Sequence, residues 1–294
     1  MAEKVFEYGF EVAGTGVLLR ADRMIDISNR FHPFFRDSYS QSGYEAVFHQ
    51  VDQLPEWQVD WLWREEAFDV GILPSGQYCR RFRDLMQNEQ VYAAGIYDWN
   101  QKLIDIAYLA EGEGHLNQSD NCFFHIAWES IMQLENRMIL HACAVDTSFG
   151  GILFSGKSGI GKSTQGKLWC EYEGATLVNG DRPLIRKEKD IWYAYGAPYA
   201  GSSRCHLDMR MPVRAVVLLK QASQCSIRRL SGMEAFRGLY EEMTISPWNP
   251  RCVENCCDLV LALVREIPIY EMACTPDRQA VVLLKDTLLM EEIS

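Results

Sequence analysis

The sequence predicts an α/β (α+β) chain, with an antiparallel β unit at its N-terminal side and then a mixed domain built around a glycine-rich loop. Three observations predict it. Short β-rich runs, separated by turn residues, fill roughly the first hundred positions. A strand, a glycine-rich loop, a helix and a second strand follow one another between 151 and 181. Charge is uneven as well. Residues 1–130 carry 10 Lys and Arg against 21 Asp and Glu, whereas residues 131–294 carry 19 of each, so the net charge of -11 arises wholly in the first part. We place the boundary by composition and pattern at 1–118 for the acidic β-rich domain and 119–294 for the loop-bearing domain.

At 294 residues the chain is long enough for one large domain or two ordinary ones. With 48% hydrophobic and 23% charged residues, it has the composition of a globular protein. No run of about 18 apolar residues occurs, so no membrane partner is expected. The opening "MAEKVFEYGF" lacks a basic stretch followed by an apolar one, so no signal peptide and a cytoplasmic location are expected. The acidic balance argues against nucleic-acid binding. An acidic front could attract a basic peptide, although a solvated acidic face is the simpler reading. The 10 cysteines lack a framework spacing. Cys252, Cys256 and Cys257 in "CVENCC" have no matching Cys or His pair, which points to reduced thiols on a helix rather than a metal site.

Taken in order, "KVFEYGFEVA", "GVLLRA", "YEAVFHQV", "FDVGIL", "QYCRRF", "VYAAGIY" and "KLIDIAYL" read as strands, with turns at "PSG" and "DWN". "PEWQVDWLW" is ambiguous. His32, His49 and His115 are isolated and read as surface or core histidines. A helix follows, capped by Ser119 or Asp120, with Phe123, Ala127, Ile131 and Leu134 on one face. His125 and Trp128 on it read as packing. Strands are expected over about 138–145 and 151–155. The helix "KSTQGKLWCEYE" should end at Gly174, and the strand "ATLVNG" should lead to Asp181. "WYAYG", "AVVLLK" and "IPIYEMA" are later strands. Ser231 and Glu234 have capping-box spacing for a helix over "MEAFRGLYEEM". Thr275-Pro276-Asp277 reads as the start of the last helix, with Pro at its first position.

The loop "GKSGIGKST" meets G-x-x-x-x-G-K-[ST] at Gly156, Gly161, Lys162 and Ser163. A chain this long meets the pattern by chance about 1% of the time, and the flanking strand and helix are the context it requires. Glycines let backbone N–H groups turn toward a phosphate, and a helix start adds partial positive charge. Lys162 is expected to reach the terminal phosphates and the Ser163 hydroxyl to ligate Mg²⁺. Lys157, Ser158, Gly159, Ile160 and Thr164 complete the ATP-binding set. Asp181 lies only 18 positions after Ser163, at the end of the next strand. It is the candidate Mg²⁺ carboxylate, against a plain turn residue before Arg182-Pro183.

"LHACAVD", "LFSGKSGIGKST" and "LVNGDRPLI" together resemble the catalytic domain of HPr kinase/phosphorylase, which shares its fold with phosphoenolpyruvate carboxykinase. The resemblance covers about 120–200 and extends loosely beyond. "AYGAPYAGSS" is similar to a loop of a looser group that includes lasso-peptide precursor kinases. It implies that His141 is a phosphate-side histidine, that 156–163 cradle ATP, and that Asp181 is the second Asp of the family's Asp-Asp pair, with Lys162, His141 and Asp181 catalytic. It also implies a homo-oligomer. The chain departs at the first Asp, which is Gly180 here, behind Asn179. One carboxylate must then bind metal and accept a proton, or another must help; Asp146, Glu188 and Asp208 are candidates. Within 196–206, Ser202, Ser203 and Arg204 offer hydroxyls and a cation to an acceptor, as any surface loop would. The expected activity is ATP-dependent transfer to a hydroxyl, on a Ser of a protein or peptide. The rivals are a small-molecule kinase on the same fold and a nucleotide-binding module without transfer.

Overall fold

The computed structural model describes residues 4–37 and 43–291, apart from the side chains of Ser202 and Glu291. Contacts divide the chain into two compact units, Met1–Trp128 and Glu129–Ser294. It is a mixed α/β protein with two large sheets. No helix among the described residues is long and apolar enough to cross a membrane.

The first unit is a nine-stranded sheet among the described residues. Its strands are β1 (Phe6–Val12), β2 (Thr15–Ala21), β3 (Phe35–Arg36), β4 (Tyr44–Gln50), β5 (Asp60–Arg64), β6 (Phe68–Ile72), β7 (Tyr78–Asp84), β8 (Gln90–Asp98) and β9 (Leu103–Tyr108), in the order β3-β1-β2-β4-β9-β8-β7-β6-β5. Ala13 and Gly14 both have positive φ, 49° and 70°, which suits the tight β1–β2 turn. The ambiguous "PEWQVDWLW" supplies the edge strand β5. The sheet is not purely antiparallel, as the sequence led us to expect: β2–β4 and β4–β9 pair in parallel. Alternation fixes which face a residue takes but not strand direction. The connection from β2 to β4 is long, and long connections allow the chain to return parallel. Phe10 meets both Phe31 and Phe123 edge-on in this core, and those two rings pack tilted against each other.

The single helix expected over 119–134 is two, α1 (Ser119–His125) and α2 (Trp128–Leu134). Ala127 between them has φ 55°, which a helix interior does not permit. Phe123, Ala127 and Ile131 are buried all the same.

The second unit holds β10 (Met138–Leu140), β11 (Ala142–Thr147), β12 (Gly150–Ser155), α3 (Lys162–Glu173), β13 (Thr176–Asn179), β14 (Leu184–Glu188), β15 (Ile191–Tyr195), β16 (Arg210–Gln221), β17 (Ser226–Leu230), α4 (Gly232–Tyr240), β18 (Met243–Thr244), α5 (Pro250–Glu266), β19 (Ile269–Cys274) and α6 (Arg278–Glu291). The strand order is β13-β11-β12-β16-β15-β14-β10-β18, with β19 beside β16 and β17 beside β19. β12, β16 and β19 run parallel at its centre. Alternate residues divide the core. Ala142, Ala144, Leu153 and Val216 face α4 and α5, while Cys143, Val145, Ile152, Phe154, Ala215 and Val217 face α3 and α6. This three-layer arrangement places the turn after β12 at the sheet's carboxyl end, where ligands of α/β sheets bind.

Two helix starts differ from expectation. Ser231 caps α4 without a side-chain bond, and Glu234 pairs with Arg228 instead of turning back. Asp277, not Thr275, caps α6: its Oδ1 accepts from Gln279 N at 2.8 Å, so Pro276 precedes the cap. The cysteines are free thiols, and α5 turns Cys252 and Cys256 inward.

Candidate functional site

β12 is a fully paired interior strand, and its last residue, Ser155, is buried. The chain then turns through Gly156, Gly159 and Gly161 at φ 131°, 78° and 114°. A side chain in this left-handed region is strained, so these three positions require glycine. A β-carbon at Gly159 or Gly161 would meet nothing within 4 Å, so backbone conformation and not crowding selects them. The loop therefore presents open backbone where α3 begins, and the first N–H groups of a helix have no partner within it.

Lys162 opens α3 and is 7% exposed. Its ammonium donates to Gly156 O at 2.7 Å and to Lys157 O at 3.1 Å, closing the loop's base. Burial pulls its pKa below the ordinary lysine value; Glu242 first, and then Asp181, partly offset this by favouring the charge. Lys157, Ser158 and Gly159 form the exposed tip, Ile160 packs partly against the core, and Ser163 is half-buried with Thr164 exposed beside it.

His141 occupies the one-residue break between β10 and β11. Main-chain bonds fix it there: its N–H donates to Glu242 O at 2.9 Å, its C=O accepts from Ser155 Oγ at 2.9 Å, and Ala142 N donates to Asp181 O at 2.9 Å. The ring then stands between two acids. Nε2 is 3.4 Å from Asp181 Oδ1, and Nδ1 is 3.3 Å from Glu242 Oε2. All three side chains are partly exposed.

Asn179 is wholly buried and holds the next turn. Its Oδ1 accepts from Asp181 N and Arg182 N, and its Nδ2 donates to Ala197 O and Tyr199 O. One amide thus fastens the Asp181 turn to the 197–203 loop. Arg182 Nε lies 3.5 Å from Asp181 Oδ2, and its guanidinium also reaches Thr244 Oγ1.

Lys162, His141 and Asp181 are thus brought to the loop's mouth. The 201–203 turn comes close as well, since a β-carbon on Gly201 would stand 2.9 Å from Asp181 Cβ. The Ser203 hydroxyl is engaged by its own turn, donating to Ala200 O at 2.6 Å and accepting from Cys205 N at 3.1 Å. Arg204 is exposed, and the Ser202 side chain lies outside the described residues. Asp146 pairs in register with Gly151, at the end of β12 away from the loop. Glu188 is held by Tyr195 and Arg210. Glu242 was not among the sequence candidates. It enters through the pairing of β18 with β10, which joins residues about a hundred positions apart, and no local pattern marks it.

Among the described residues, no three His, Cys, Asp or Glu are grouped to hold a metal ion by themselves. Asp181 is a partly exposed carboxylate whose charge acts on Lys162, and Mg²⁺ usually completes its shell with phosphate and water rather than with a full protein cage.

No family model matches the chain, and no curated protein matches it. Among solved structures, the chain is similar to the HPr(Ser) kinase/phosphatase from Coxiella burnetii, at 14% identity and a TM-score of 0.34, over 52% of this chain and 92% of that one.

Proposed function

We propose that the chain is an ATP-dependent phosphotransferase that moves the γ-phosphoryl group to a hydroxyl, on a serine of a protein or peptide. One observation carries the reading: a buried Lys162 at the base of a loop with three glycines at positive φ, with Asp181 and His141 at the same mouth. The cradle fits a triphosphate. Backbone N–H groups of 156–164 and the start of α3 would take the oxygens, and Lys162 would exchange its bonds to Gly156 and Lys157 for phosphate. Ser163 and Asp181 would hold Mg²⁺, which when bound neutralises charge on the β- and γ-oxygens. His141 would orient the terminal phosphate or the acceptor. Phosphoryl transfer asks chiefly for such positioning and charge.

A nucleotide-binding module without transfer is the second reading, favoured by the missing side chain at Gly180. Calorimetric titration with ATP, with and without Mg²⁺, on wild type and Lys162→Ala tests the site. Magnesium-dependent binding that the variant loses is the expected outcome. Binding that survives Lys162→Ala would sink the loop assignment. Release of ADP and inorganic phosphate by the wild type then separates transferase from module.

A further inference from the structure

Resting on that reading, we infer that Glu242 is the second carboxylate of the site: it takes the proton of the attacking hydroxyl, leaving Asp181 to the metal. The observations are geometric. Gly180 cannot carry a carboxylate, since a β-carbon there would stand 2.3 Å from Ser203 Cβ. Glu242 approaches His141 from the turn just before β18, held to it by a main-chain bond and by its own side chain. It lines a cavity of about 590 Å³ beside the start of the loop, together with Gly156, Lys157, Ile160 and Leu218. That volume is ordinary for a ligand site.

Apart from Lys157 at the loop's exposed tip, the other charged groups of this cavity are paired among themselves. Arg228 meets Glu234 and Glu271, Lys220 meets Glu271, and Arg237 meets Glu241. Glu242 faces His141 instead. The two acids meet different nitrogens of the His141 ring, Glu242 at Nδ1 and Asp181 at Nε2.

The step balances. The acceptor oxygen bonds to the γ-phosphorus, the bond from that phosphorus to the β,γ-bridging oxygen breaks, ADP leaves with that electron pair, and the hydroxyl proton passes to Glu242 Oε. Water in the cavity is the simplest such hydroxyl.

The test uses the whole protein, ATP, Mg²⁺ and water as acceptor, under single turnover with protein in excess. Glu242→Gln should keep the MgATP Kd within about threefold while hydrolysis falls roughly 10² to 10⁴-fold, the usual worth of a positioned base. Glu242→Asp should recover part of the rate. In the nucleotide-free protein at one fixed pH, Glu242→Gln should also shift the His141 ring ¹⁵N resonances. Hydrolysis unchanged in Glu242→Gln, or no hydrolysis by a wild type that binds MgATP, overturns the inference. Failure of the phosphate-loop reading shows differently, as MgATP binding that Lys162→Ala does not disturb.

Discussion

Gly180 lies so close beneath Ser203 that a β-carbon on it would stand 2.0 Å from the serine Oγ. The serine Cβ is 2.3 Å away, and Ala200 O is 3.2 Å away. The turn that carries Asp181 and the loop over it therefore meet backbone to side chain, with room for hydrogen alone. Gly180→Ala should destabilise the protein by about 1–3 kcal/mol, the usual cost of overpacking. Ser203→Gly in the same chain should return most of that loss. Urea midpoints of the two single variants and the double variant measure the coupling, and strict additivity would mean the two residues do not touch.

Gly166 makes the same kind of contact on α3. A β-carbon there would stand 2.4 Å from Cys143 Sγ, in the core between helix and sheet. Helix propensity alone favours Gly166→Ala by about 1 kcal/mol. Overpacking opposes it by about 1–3 kcal/mol, so the net change should be destabilising. Cys143→Ala should reverse the sign and let propensity appear. A Tm that rises in Gly166→Ala alone would show that α3 does not need this close approach.

These contacts mark where the sequence stops being readable. The phosphate loop is a local pattern, with glycine, lysine and hydroxyl at fixed spacing, and its flanking strand and helix follow from short-range periodicity. Alternation likewise foretells that Ala142 and Cys143 face opposite layers. The His141–Glu242 contact is of another kind. It depends on β18 adding to β10, a register that only the folded sheet defines. The parallel entry of β4 is unreadable for the same reason. The break at Ala127 defeats propensity outright, because alanine is the best helix former and seldom takes positive φ.

His125 gives the first unit an acid limit. Its Nδ1 meets Asn121 O at 2.7 Å, a carbonyl, so that nitrogen carries hydrogen; Nε2, 2.9 Å from Tyr92 Oη, is left to accept. Burial, with Arg80 and His115 as lesser causes, pulls its pKa from 6.5 down to about 3. Between those values the unfolded chain binds a proton that the folded chain refuses, so stability is full above about pH 6.5 and lost as pH falls toward 3. The slope is on the order of 1.4 kcal/mol per pH unit. His125→Gln should flatten this fall in urea unfolding free energy, and an unchanged slope would assign the acid sensitivity to another group.

Asp181 carries the metal prediction. Its carboxylate is held from one side by His141 at 3.4 Å and from another by Arg182 at 3.5 Å, while the 201–203 turn packs on its β-carbon. It is therefore fixed before any ligand arrives, and an asparagine would keep nearly the same shape without the charge. Asp181→Asn should leave the unfolding free energy within about 0.5 kcal/mol of wild type, because partly exposed ion pairs contribute little. ATP should bind it equally with and without Mg²⁺. Turnover should fall at least about a hundredfold, since metal-borne charge stabilisation is worth several kcal/mol and each 1.36 kcal/mol is a factor of ten. Calorimetry with and without Mg²⁺ reads the first effect, and phosphate release reads the second. Magnesium dependence that persists in Asp181→Asn would move the ion to a different carboxylate, and Glu242 would then be the next to substitute.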